Sequence, residues 1–296
     1  MLRKPPAVRP GDPVAIIAPA GPFDRASFDA GHAVLEQRYR VRHDTRLFER
    51  FRYLAGDDSR RLEEVRSALE DPGIKAIFCA RGGYGTMRLI PRLTPLVATK
   101  PVVGFSDITA LHLCVQQQEA VSIHGPVVTQ LGRQPEATRQ RLFALLESTS
   151  AAPPLYGTDT YVGGKVEGPL IGGNLAVLSR LLGTPYLPSL EEAVLLLEDV
   201  GERPYRLDRM WTHLGLAGVF RKVSGIVLGS FAACEERDAD YTSAAVLRTL
   251  AEETGLPCAA GFPIGHGDIN EAVPLGARVR LDADARRLEF LEAAVR

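Results

Sequence analysis

Apolar residues follow two rhythms along this chain. Short unbroken runs, Val14-Ala15-Ile16-Ile17-Ala18, Ala76-Ile77-Phe78-Cys79-Ala80 and Pro101-Val102-Val103-Gly104-Phe105, read as strands covered on both faces. Between them lie stretches with helical spacing. Residues 27–38 form one, Leu62, Val65 and Leu69 share a face in the next, and Ile108, Leu111 and Val115 share one over 107–118. Residues 41–44 read as a weaker strand. Strand–helix alternation of this kind predicts a parallel sheet with helices on both sides, whose sites lie at the carboxyl ends of the strands. The turns Pro19-Ala20-Gly21-Pro22 and Arg81-Gly82-Gly83-Tyr84-Gly85, and the turn at Ser106, all fall at such ends.

The rhythm breaks over residues 148–164, where Ser, Thr, Pro and Gly crowd together and predict a linker. Beyond it the pattern gives a turn at Gly172-Gly173-Asn174, a helix to Leu182 and a strand over 193–197. A helix with Leu207, Met210, Trp211 and Leu214 on one face follows, then a strand over 225–231 and a helix over 242–253. A strand around Ala259-Ala260-Gly261-Phe262 and a hairpin joining 277–281 to 287–291 complete it. The predicted organisation is an N-terminal domain over 1–150, a linker over 151–165 and a C-terminal domain over 166–296.

Composition changes little in this picture but excludes several functions. A chain of 296 residues suits about two domains. With 35 Lys+Arg against 36 Asp+Glu, it carries no field for nucleic acid or an anionic membrane. Cys79, Cys114, Cys234 and Cys258 stand apart in apolar surroundings with no C-x-x-C pair, which reads as buried thiols in a reducing compartment. The basic opening Met1-Leu2-Arg3-Lys4 is followed by no apolar run long enough for a signal core. No window reaches the roughly 20 apolar residues of a membrane span. The expectation is a soluble, cytoplasmic protein. No His/Cys/Asp/Glu set has metal-ligand spacing, and no cofactor is implied.

The chemistry-bearing candidates sit in three separate segments. Ser106, between a strand and a helix, is placed like a nucleophile, its hydroxyl beside the first free N–H groups of that helix. Ile108 replaces the last glycine of the G-x-S-x-G elbow, so a phosphate- or sugar-binding turn is an open alternative. A serine needs a base held by an acid. His266, between two glycines in Ile264-Gly265-His266-Gly267-Asp268, is the first candidate base and His124 the second; His112 reads as a surface or packing residue. Glu198 and Asp199, closing an apolar strand, are equal candidates for the acid, and a helix-capping role is open to either. The glycines after Arg81 expose backbone N–H groups that could hold an anion, or form only a tight turn.

Seven segments in order give a more specific signal: residues 14–22 (V-A-I-I-A-P-A-G-P), 81–85, 104–109 (G-F-S-D-I-T), 124–126 (H-G-P), 172–175 (G-G-N-L), 197–209 (L-E-D-V-G-E-R-P-Y-R-L-D-R) and 261–268 (G-F-P-I-G-H-G-D). Over about residues 11–293 the chain resembles the serine LD-carboxypeptidases, whose best known members trim the murein tetrapeptide. The resemblance implies Ser106 as nucleophile, Glu198 rather than Asp199 as acid and His266 as base. It implies the backbone N–H groups of Gly83 and Asp107 as oxyanion donors. It further implies a Rossmann-like N-terminal domain, a smaller swivelling-type α/β C-terminal domain, a homodimer and a peptide or muropeptide substrate. Arg203 and Arg206 are candidates for the substrate's terminal carboxylate, with surface ion pairing as the alternative. Two other functions are weighed. One is the microcin C self-immunity type of the same family, which carries a longer, aromatic-bearing loop before the acid, where this chain has only Tyr186. The other is a non-catalytic protein that binds a sugar or nucleotide phosphate.

Overall fold

The computed structural model describes residues 3–94 and 98–296; Met1 and Leu2 of the basic opening lie outside the described residues. The first half alternates as the apolar runs require. It comprises β1 (Pro13–Ile17), α1 (Arg25–Glu36), β2 (Arg40–Arg42), α2 (Asp58–Glu70), β3 (Ala76–Cys79), α3 (Ile90–Leu93), β4 (Val102–Gly104), α4 (Thr109–Gln117), β5 (Ser122–His124), α5 (Val128–Leu131) and α6 (Glu136–Glu147). The second half follows with β6 (Leu155–Tyr156), β7 (Asp159–Val162), β8 (Lys165–Asn174), α7 (Leu175–Leu181), β9 (Val194–Val200), α8 (Pro204–Leu216), β10 (Gly225–Ala232), α9 (Ser243–Thr254), β11 (Cys258–Ala260), β12 (Val273–Leu275), β13 (Arg278–Asp282) and β14 (Arg287–Phe290).

Two mixed sheets result. The first runs β12-β5-β4-β3-β1-β2, with β5 to β2 parallel and β12 antiparallel at its edge. The second runs β6-β14-β13-β8-β9-β10-β11-β7, with a parallel centre of β8 to β11. It has eight strands against six in the first. Alternation sorts the central side chains: Leu195 and Leu197 of β9 join a core shared with α4, α7 and α8, while Val194 and Leu196 join a second core with Phe262, Val279 and Leu288. Helix α4 lies in the shared core, buried from Thr109 to Gln116. His112 is therefore fully buried, its Nε2–H donating to the Gly104 carbonyl at 2.8 Å, and burial pushes it down to about 4. The packing role holds and the surface role does not.

Three expectations need correction. Residues 151–165 are not a linker: β6 pairs with β14 at one edge of the second sheet and β7 with β11 at the other. Their glycines punctuate very short strands, and composition alone does not separate such strands from coil. Gly172-Gly173-Asn174 is the end of the ten-residue β8, not a turn. A Cβ on Gly173 would lie 2.6 Å from Thr109 Oγ1, so Gly173 serves the approach of β8 to α4, while a Cβ on Gly172 would run into the Leu196 backbone of β9. Finally, the C-terminal third returns to the first sheet. β12 pairs with β5, and the Ala7 N–H donates to the Arg296 carbonyl at 2.9 Å. Among the described residues no helix is long and apolar enough to cross a membrane.

Candidate active site

Ser106 stands where β4 stops. Phe105 is extended, and Ser106 takes φ +64° before a 3-10 turn over Ser106–Ile108 leads into α4. Left-handed backbone at a non-glycine residue costs about 1–3 kcal/mol and marks a site the surroundings enforce. Gly82, from the loop after β3, lies against this turn: a Cβ there would sit 2.7 Å from Ser106 Cβ and 2.9 Å from Oγ. The Asp107 carboxylate, buried and thereby pushed up in pKa, accepts from the Thr86 N–H at 2.8 Å and ties the two loops together. Among the described residues the amides of Gly83 and Asp107 have no intramolecular acceptor.

The other two candidates arrive from the second sheet. His266 Nε2 lies 3.1 Å from Ser106 Oγ, and its Nδ1 lies 2.6 Å from Glu198 Oε2. Glu198 is fully buried at the end of β9, opposite Asn174 of β8. Its second oxygen has no partner among the described residues. Gly265, at φ +110°, packs on the carboxylate: a Cβ would meet Glu198 Cγ at 2.8 Å. The Gly265 N–H donates to Asn270 Oδ1, and Asn270 in turn bonds Gln134 and Gln130 of the first half. The Phe105 ring, 4.7 Å from the imidazole, closes one side.

Strand periodicity separates Glu198 from Asp199. On β9 they face opposite ways, so Asp199 meets α7 rather than His266. It accepts from Ala176 N at 2.8 Å, Val200 N at 2.8 Å and Asn174 Nδ2 at 3.1 Å, and burial pushes it up to about 6. Asp199 takes up the free Ala176 N–H at the start of α7, beside the N-cap Asn174, whose side chain accepts from Val177 N. His124 is buried beside Phe105 with both ring nitrogens unpartnered among the described residues, and burial holds its pKa far down. It does not meet Ser106.

A cleft of about 700 Å³ opens over Ser106 and His266. Its charged lining is Arg50, Arg81 and Arg133 against a single carboxylate, Asp24. Arg203 and Arg206 do not line it; they pair with Glu236 and Glu202 on the surface. Sequence reasoning overlooked the three cleft arginines and Asn270. Only Arg81, in the glycine loop, carried a local signal; Arg50 and Arg133 come to the cleft through tertiary folding.

A strained serine on a strand-to-helix turn, with an imidazole–carboxylate pair behind it, is the constellation of serine hydrolases. Residues 14–125 match the LD-carboxypeptidase N-terminal domain and residues 167–281 the LD-carboxypeptidase C-terminal domain. The murein tetrapeptide carboxypeptidase of Pseudomonas aeruginosa is 36% identical over 93% of this chain and 94% of its own. The muramoyltetrapeptide carboxypeptidase of Oxalobacter formigenes superposes with TM-score 0.83 at 29% identity, over 94% of this chain and 97% of that one. The microcin C7 self-immunity protein MccF shares the fold, with TM-score 0.89 at 21% identity over 99% of this chain and 100% of that one. The chain belongs to the LD-carboxypeptidase family and is a serine-type peptidase.

One consequence is local. Gly82→Ala would press a methyl group onto Ser106, so turnover is expected to fall by about 100-fold or more. The melting temperature should move far less than turnover, because the clash is confined to one loop contact. Steady-state kinetics with a melting curve on the same sample checks this, and near wild-type turnover would contradict the close packing.

Proposed function

We propose that this chain hydrolyses the L-to-D peptide bond before the terminal D-Ala of murein tetrapeptide, in cytoplasmic cell-wall recycling and as a homodimer. The observation that carries the reading is the continuous Ser106–His266–Glu198 line, 3.1 Å and 2.6 Å long, at the floor of the cleft. His266 takes the Ser106 proton through Nε2 while Glu198 holds Nδ1–H and so fixes the tautomer. Oγ attacks the scissile carbonyl, and the Gly83 and Asp107 amides receive the oxyanion, each worth about 3–4 kcal/mol. Imidazolium then protonates the departing D-amino acid, and water resolves the acyl-enzyme by the reverse sequence. The excess of guanidinium in the lining fits a substrate that carries several carboxylates, its terminal one included.

The microcin-type reading has less support. The stretch over 184–192 is short, and its single aromatic, Tyr186, packs against the shared core and is not part of the cleft lining. The deciding experiment offers the chain three substrates: a lysine tetrapeptide, a diaminopimelate tetrapeptide and an aminoacyl-sulfamoyl nucleoside. D-Ala release from a tetrapeptide with no cleavage of the nucleoside is the expected result; the reverse would replace this reading with the immunity type. Ligand-induced stabilisation without any turnover would favour the binding-protein alternative.

A further inference from the structure

Behind the glycine loop lies a fully buried guanidinium that the mechanism does not use. Arg61, on the first turn of α2, has no exposure at all. Its Nη1 donates to the Pro19 carbonyl in the loop after β1, and its Nη2 pairs with Asp58. The same Nη1 occupies the space beside Gly85, where a Cβ would meet it at 2.5 Å. Arg61 thus touches both loops that flank the nucleophile turn. Two other residues of α2 hold the first loop: Arg60 Nη2 donates to the Ala18 carbonyl at 2.9 Å, and Glu64 accepts from the Ala18 N–H at 2.7 Å.

What this grip controls follows from peptide geometry. The Gly21 N–H donates to the Gly82 carbonyl at 3.0 Å. A trans peptide is planar, with its C=O and the next N–H pointing in opposite directions. Fixing the Gly82 carbonyl on Gly21 therefore fixes the direction of the Gly83 N–H, away from Gly21. Downstream Arg61 packs closely on Gly85, and Asp107 accepts from the Thr86 N–H. Stability alone does not call for an arginine here. Burial of an ion is costly, Nε lacks a partner among the described residues, and apolar replacements of buried ions are often neutral.

We infer that Arg61 is a positioning residue: it locks the loop after β1 against the loop after β3 and so aims the Gly83 amide at the oxyanion. The inference rests on the serine-hydrolase mechanism proposed above, with Gly83 as an oxyanion donor. The test compares Arg61→Lys and Arg61→Met with wild type. It reads tetrapeptide kcat and KM, the rate of Ser106 labelling by a fluorophosphonate, the affinity of a peptide boronate and the melting temperature. Lysine can reach the Pro19 carbonyl but cannot at the same time pair with Asp58 and fill the space beside Gly85 as the planar guanidinium does. Arg61→Lys is expected to lose about tenfold in kcat, labelling rate and boronate affinity alike, and Arg61→Met about a hundredfold, with KM within about twofold. If Arg61→Met does not fold, Asp58→Asn, which removes the charge that Nη2 and Arg88 share, should cost about threefold in the same three quantities.

Folded variants with wild-type kcat and labelling would overturn the inference, as would losses confined to KM or boronate affinity left unchanged while kcat falls. The two proposals separate on the wild type. A chain that labels but does not cleave tetrapeptide loses the murein reading, and the comparison of Arg61 variants still stands on labelling. A wild-type Ser106 that never labels and never turns over substrate removes both.

Discussion

Ser106→Ala is expected to lower kcat for D-Ala release by about 10⁴- to 10⁶-fold while the protein stays folded. Only the hydroxyl is removed; among the described residues His124 is sealed beside Phe105, the four cysteines are buried, and the cleft hydroxyls of Ser27 and Thr129 are not hydrogen-bonded to His266. What remains is acceleration from binding and from the two amides, which in serine peptidases leaves a residual of about 10³–10⁴ over water. Alanine keeps the Cβ and hence the left-handed strain at φ +64°, so stability should change little. Ser106→Gly separates the two effects. It should be as inactive as the alanine variant yet more stable, by about 1 kcal/mol, because glycine adopts this backbone without penalty. D-Ala release followed by a D-amino acid oxidase assay, with melting curves for all three proteins, reads both. Retention of about 1% of wild-type kcat in a pure Ser106→Ala preparation would place the nucleophile elsewhere.

The parts of the site that were legible in the sequence are those where one residue type at a strand end has few structural uses. The apolar runs at 14–18, 76–80 and 101–105 became parallel strands because strands buried on both faces need no polar alternation. Ser106, Glu198 and His266 lie at or just beyond strand ends, and the fold brings them into hydrogen-bonding distance. Glu198 and Asp199 were inseparable by composition but not by geometry. Period two on β9 sends one to His266 and the other to α7, and counting faces from Leu195 and Leu197 carries that information. The rest depends on contacts far apart in sequence. Strands of two and four residues at 155–156 and 159–162 exist because the sheet edge offers partners, not because their own residues demand it. The same is true of β12, which leaves its sequence neighbours to pair with β5. Arg203 and Arg206 follow the acid in sequence, yet α8 carries them to surface carboxylates. Arg50 and Arg133 reach the cleft from loops with no motif at all.

Glu198→Gln is expected to cost about 10⁴-fold in kcat, a loss comparable to that of the nucleophile although the residue never touches substrate. The carboxylate accepts from Nδ1–H at 2.6 Å and so leaves Nε2 free to take the Ser106 proton. A carboxamide has one acceptor oxygen and one donor nitrogen. Turned with nitrogen toward the imidazole, it makes Nδ1 the acceptor and puts the proton on Nε2, where it blocks proton transfer from Oγ. Turned the other way, it keeps the tautomer but places its N–H₂ where Oε1 now lies buried without a partner, an unsatisfied donor worth about 1–3 kcal/mol. That second orientation also loses the negative charge that steadies the imidazolium. Both orientations slow the acylation step, so Ser106 labelling should slow with kcat while peptide binding is retained. Asp199→Asn is the control, since it changes the neighbouring charge on the same strand. Its one oxygen can still accept from the Ala176 N–H while its N–H₂ faces the Val200 and Asn174 donors, so stability should fall by about 1–3 kcal/mol while kcat stays within about threefold of wild type. If Glu198→Gln proved active and Asp199→Asn dead, the acid would be the other carboxylate, and the orientation of β9 against His266 would be wrong.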